Sequence, residues 1–156
     1  MKKNTKALII AVAIPLIIGG LSALLTMDNM IVFDYVRKPP LSPPAWLFPV
    51  VWTVLYVLMG LASYIVWSSK KPKKDVNSAL LIYFIQLAFN FFWSIVFFNL
   101  ENYLFALIWL LIMLVLIIIT AVRFFGIDKR AGYLLLPYVL WVSFVAYLNY
   151  GIYMLN

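Results

Sequence analysis

The chain holds 156 residues, 67% hydrophobic and 11% charged, where soluble domains carry about 25% charged residues. It is an integral membrane protein, too short for two domains. Cysteine and histidine are absent, which excludes disulfides, zinc sites, thiol and imidazole nucleophiles and the commonest haem ligand. The net charge of +7 lies in residues that flank apolar runs rather than form a stripe, so it reads as membrane topology and not as a nucleic-acid surface.

Five runs are free of charge, 7–27, 39–69, 76–100, 102–122 and 131–156, and each reaches the roughly 20 residues that span a bilayer. The pattern predicts one all-α domain over 1–156, with transmembrane helices near 7–27, 43–67, 77–99, 103–124 and 131–154. With the N-terminus inside, Lys2, Lys3, Lys6, Lys70, Lys71, Lys73, Lys74, Arg123, Lys129 and Arg130 are cytoplasmic, and only Arg37 and Lys38 lie outside. The positive-inside rule therefore selects N-in and C-out.

The first helix carries Pro15 and Gly19-Gly20, small residues that let helices approach in lipid. Its apolar run is long for a signal peptide and no clean A-x-A site follows, which favours a retained helix. The loop over 28–42 is long for a helix connection, and such loops are functional or mobile. It leads into RKPPLSPPAWLFPVVWTVLYVLMGLASY, from Arg37 to Tyr64. Ser42 before Pro43 reads as a helix start. Beyond it Phe48, Trp52, Tyr56, Met59/Gly60 and Ser63 recur at helical spacing. This stretch is either a lid feeding an aromatic wall or an interfacial turn anchored by Trp46.

The basic turn SSKKPKKD reads as a topology anchor, with contact to anionic lipid as the alternative. On the third helix Gln86, Asn90, Trp93/Ser94 and Phe97 form one stripe. Amides in lipid need partners, so Gln86 and Asn90 either tie helices together or bond a ligand. The fourth helix shows no polar stripe beyond Thr120 and reads as lipid-facing or as a dimer surface. The fifth contains Pro137, which removes a backbone bond, and places Tyr138, Trp141, Val145 and Leu148/Asn149 on one face. At 1.5 Å per residue Trp52, Asn90, Trp93 and Trp141 all fall in the outer half or near the midplane. They can line one cavity beneath the loop ending at Pro44.

KPP-x-x-PP-x-W-x-F followed by VWT-x-LY-x-x-MG-x-A resembles the tryptophan-rich sensory protein family, also called translocator protein or peripheral benzodiazepine receptor. Gln86-Leu87, Asn90, Trp93-Ser94 and Phe97-Phe98 are similar to its third-helix pattern. Ala131-Gly132, Pro137-Tyr138, Trp141-Val142, Phe144 and Leu148-Asn149 are similar to its fifth. The resemblance covers roughly residues 32 to 156. Three departures bear on ligand selectivity: Val32-Phe33 replaces a Trp-Tyr pair, Leu41 replaces an aromatic, and Pro49 stands one position early. One residue is about 100° of helix rotation, so a kink near Trp52 is expected to point differently.

The resemblance implies a homodimer, paired through apolar helix faces that include the third helix, in a bacterial cell membrane, and the binding of protoporphyrin-like tetrapyrroles and other flat hydrophobic molecules. Its candidate ligand contacts are Pro44, Phe48, Trp52, Tyr56, Gln86, Asn90, Trp93, Tyr138, Trp141, Val145 and Leu148. Trp52 and Trp141 match the two tryptophans on which light-driven porphyrin degradation depends in some bacterial members. A porphyrin enters as ligand, and no cofactor is required. The carboxylates Asp28, Asp34, Asp75, Glu101 and Asp128 all lie in loops, which argues against hydrolysis and ion-coupled pumping. A tetrapyrrole sensor is the favoured reading, with a photo-oxidative degrader and a small-molecule or porphyrin transporter as the alternatives.

Overall fold

The computed structural model describes residues 4–156. Lys2 and Lys3, counted above among the basic residues of the N-terminal end, lie outside the described residues. Helix α1 runs over Thr5–Thr26 and is capped by Asn4, whose side chain accepts from the Ala7 amide at 3.1 Å. A 3-10 turn at Met27–Asn29 and a short helix α2, Val32–Tyr35, follow. Helix α3 spans Leu47–Trp67. Helix α4 spans Lys73–Ser94 and passes into a π turn, Ile95–Asn99. Helices α5, Tyr103–Ile127, and α6, Lys129–Leu155, complete the chain. The five long helices are each apolar and long enough to cross a membrane, and the described residues contain no strand.

The start of α3 departs from the expected boundary. Ser42 does not cap it; the hydroxyl donates to the Pro39 carbonyl at 2.7 Å instead. The residue before a proline is driven out of the α region, so Pro43 before Pro44 cannot begin a helix. The first turn-type bonds are Leu47 N–H to Pro44 O and Phe48 N–H to Ala45 O. Pro49 then falls in the first turn of α3, where its missing N–H has no intrahelical acceptor. That position removes the basis for a displaced kink near Trp52.

The helices pack in a ring, α1 on α3, α3 on α6, α6 on α5, α5 on α4, and α4 back on α1. The α5–α6 hairpin is the most extensive contact because Asp128 alone joins the two helices. Asp128 also caps α6, accepting from the Arg130 amide at 2.9 Å, and pairs with the Arg130 guanidinium at 2.8 Å. The guanidinium's hydrogen bond holds this carboxyl below its usual range. On α5, Ala106, Leu110, Met113, Ile117, Thr120 and Phe124 are buried. That spacing is one helical face, and Leu111, Val115, Ile118 and Val122 stay exposed on the other. The core therefore lies along the ring's axis, and the end of the ring under the 27–46 loop holds an unfilled space.

Candidate ligand cavity

A buried chain of hydrogen bonds forms the floor of this unfilled space. The Tyr56 hydroxyl donates to Asn90 Oδ1 at 2.7 Å, and Asn90 Nδ2 donates to the Tyr138 hydroxyl at 2.8 Å. Tyr138 in turn donates to Gln86 Oε1 at 2.7 Å, and Gln86 Nε2 points at the Met59 sulfur, 3.8 Å away. The chain links α3, α4 and α6. A polar group in lipid must find such partners or lose several kcal/mol of solvation.

Above this floor lies a cavity of about 250 Å³. Helix α1 contributes Gly19, Ser22 and Ala23, and α3 contributes Phe48, Pro49, Trp52 and Tyr56. Trp93, Ser94, Phe97 and Phe98 come from α4 and its π turn, and Val145, Leu148, Asn149 and Ile152 from α6. The loop supplies Met30, Phe33 and Ala45 as the ceiling. Trp52 stacks on Tyr56 with ring centroids 5.7 Å apart and meets Tyr138 edge-on at 6.2 Å. Trp93 Nε1 donates to Asn149 Oδ1 at 3.3 Å, which fixes that indole on the opposite wall. Gly19 faces the Tyr56 ring so closely that a Cβ there would lie 2.2 Å from Tyr56 Cε2. Only glycine leaves room for that ring, and hence for the Trp52 stack above it.

The ceiling is tied down at several points. Asn156 accepts from the Arg37 amide at 3.0 Å and donates to the Arg37 carbonyl at 2.9 Å. The Tyr147 hydroxyl donates to the Pro40 carbonyl at 2.7 Å. The Pro39 ring sits on Gly151, where a Cβ would fall 2.4 Å from Pro39 Cγ. Asn29 donates to Asn99 on the π turn at 2.9 Å, and Asn99 donates to the Leu25 carbonyl at 3.0 Å. Leu41 takes a left-handed conformation, φ 68°, where the chain reverses between the two proline pairs. These bonds press the buried residues Val32 and Phe33 of α2 down onto the bundle, and the Phe33 ring meets Phe48 edge-on at 5.1 Å.

Of the residues singled out from sequence, Phe48, Trp52, Tyr56, Trp93, Val145 and Leu148 converge on the cavity wall. Gln86, Asn90 and Tyr138 lie beneath it, engaged with one another rather than open to it. Pro44 does not line it, although its neighbour Ala45 does. Trp141 is separated from Trp52's cavity by Phe48, whose ring it meets at 5.6 Å. It lines an outer groove between α3 and α6 with Val50, Val54, Leu58, Pro137 and Leu140. Along α6 it stands between Tyr138 of the floor and Val145 of the wall, and the Phe48 ring from α3 occupies the space beside it. The α1 wall escaped the sequence reading, although Pro15, Gly19, Ser22 and Thr26 are buried at helical spacing.

A profile of the TspO/MBR family matches residues 11–155. The chain is 40% identical to a tryptophan-rich protein TspO of Chlorobaculum tepidum over 119 residues, 76% of this chain and 75% of that one. It is 37% identical to a tryptophan-rich sensory protein of Cereibacter sphaeroides over 134 residues, 86% and 81% of the two chains. Against the translocator protein of Bos taurus the identity is 35% over 115 residues, 73% and 68% of the two chains.

Proposed function

The chain belongs to the TspO/MBR family, and from that premise we propose that it is a membrane receptor for a flat hydrophobic ligand of the tetrapyrrole class, bound in the cavity under the 27–46 loop. The observation that carries this reading is the cavity wall itself, where Trp52 is stacked on Tyr56 facing Trp93 and Phe97, with no charged side chain among its lining residues. Aromatic faces stack on a planar ring system, and such contacts contribute about 0.5–1.5 kcal/mol each beyond area burial. The cavity's 250 Å³ is below the roughly 300–1,000 Å³ usual for small-molecule sites. A four-ring ligand therefore enters by lifting Phe33 and turning Phe48. Those two rings belong to the ceiling and to the first turn of α3.

Light-driven porphyrin loss through a pair of tryptophans is not favoured by any contact here, because Trp141 is screened from the cavity by Phe48. The orientation we propose is N-in and C-out, on the asymmetry of the basic residues. We further propose that the chain pairs with a second copy through the exposed apolar faces of α4 and α5. Protoporphyrin IX titrated into the purified protein tests the receptor reading by quenching of protein fluorescence. One saturable site, independent of detergent concentration, is the expected result; uptake that scales with detergent and never saturates would refute it. Cysteines introduced as Lys71→Cys and Leu100→Cys report the topology, the first expected to label from inside and the second from outside.

A further inference from the structure

No charged side chain lines the cavity, so a ligand bearing a carboxylate must keep that group at the mouth, since an unpaired carboxylate is costly to bury. Beside the ceiling stands Lys38, which is half-buried. Its ammonium lies 4.5 Å from the centroid of the Phe33 ring, and it donates to the Phe33 carbonyl. Phe33 is the ceiling aromatic that lines the cavity. Lys38 has no carboxylate within ion-pair distance among the described residues, where the one ion pair joins Asp128 and Arg130 at the opposite end of the bundle. A lysine is rarely withdrawn from water without a partner. Here a π face and one carbonyl satisfy part of the ammonium, which has three donors, and no counter-charge is supplied.

We propose that Lys38 is the anion-recognition residue of the cavity and takes the carboxylate of a flat apolar acid whose rings lie between Phe33 and Trp52. The inference rests on the cavity being the ligand site, and it adds the residue that tells such an acid from its neutral analogue. Lys38 follows directly on Arg37, whose backbone is clamped by Asn156, so its stem is anchored while its head remains able to turn from the Phe33 carbonyl to a ligand. Arg37 itself is exposed and serves as the control cation.

The test compares protoporphyrin IX, which has two carboxylates, with its dimethyl ester, which has none. The full-length protein is placed in phosphatidylcholine nanodiscs. The ratio of the two affinities is compared between proteins, so that the different partitioning of acid and ester into lipid cancels. The parent is expected to favour the acid, and Lys38→Met to lower the acid-to-ester ratio about five- to tenfold while ester affinity holds. Lys38→Arg should keep the preference, Arg37→Gln should leave it intact, and high salt should narrow it in the parent. An unchanged ratio in Lys38→Met overturns the inference, as does equal loss of acid and ester, which would make Lys38 a packing residue over Phe33. Ester binding by the parent with no preference for the acid overturns it while leaving the cavity reading in place. Binding of neither compound removes the cavity reading, and this inference with it.

Discussion

Replacing Tyr138 by phenylalanine removes one hydroxyl at the centre of the floor network and breaks two interhelical bonds together. The hydroxyl accepts from Asn90 at 2.8 Å and donates to Gln86 at 2.7 Å, and all three residues are at most 3% exposed. Interhelical bonds in bilayers average about 0.6 kcal/mol and reach about 1.7, so two of them give roughly 1.2 to 3.4 kcal/mol. Leaving buried polar groups unsatisfied raises this toward about 1–3 kcal/mol per group. A loss of about 2 kcal/mol is the expected value, because both bonds are short and neither stranded amide can reach water. Tyr56→Phe breaks a single bond, that to Asn90, and should cost about half as much. Reversible unfolding in bicelles, followed by steric trapping, gives both numbers. The double variant Tyr138→Phe, Gln86→Leu should recover part of the loss, since it also removes the stranded acceptor. The reasoning fails if Tyr138→Phe lies within about 0.5 kcal/mol of the parent, or if Tyr56→Phe is the more damaging change.

Other consequences follow from single contacts. Gly19→Ala sets a methyl against the Tyr56 ring, 2.2 Å from Cε2; about 1–3 kcal/mol of destabilisation is expected from overpacking, with weaker porphyrin binding as the Trp52 stack shifts. Gly20, whose Cβ would meet nothing within 4 Å, is the matched control and should tolerate alanine. The Asp128 carboxyl, held low by Arg130, contributes stability above the ordinary carboxylate range near pH 4, and this is lost as pH falls through its lowered folded value. Asp128→Asn should therefore flatten the acid limb of the stability profile by no more than about 1 kcal/mol, as suits a surface pair.

The aromatic wall on α3 was legible in the sequence because Phe48, Trp52 and Tyr56 recur every fourth residue, and the structure turns all of them to one cavity. Gln86 and Asn90 were equally legible as bundle-facing, since lipid rejects them. Their partners were not, because the partner hydroxyls of Tyr56 and Tyr138 come from helices far apart in the chain. Trp141 shows the limit of face counting. It shares a helical face with Val145 and Leu148, yet the Phe48 ring contributed by another helix packs against it, and it lines the outer groove. The α1 wall was hidden because glycine, serine and alanine in an apolar helix look the same whether they meet a neighbouring helix or an empty space. Phe33 stood out only as a departure from a motif, and its position under the ceiling depends on long-range ties to Asn156, Tyr147 and Gly151 that no local pattern reveals.

The most direct test of the account is a protoporphyrin IX titration of the parent beside Trp52→Leu and Trp141→Leu, since only one of the two indoles lines the cavity. Loss of an aromatic face from the wall should weaken binding about five- to tenfold in Trp52→Leu and by less than twofold in Trp141→Leu. Equal losses in the two variants, or a larger loss at Trp141, would contradict a site confined beneath Phe33 and walled by Trp52.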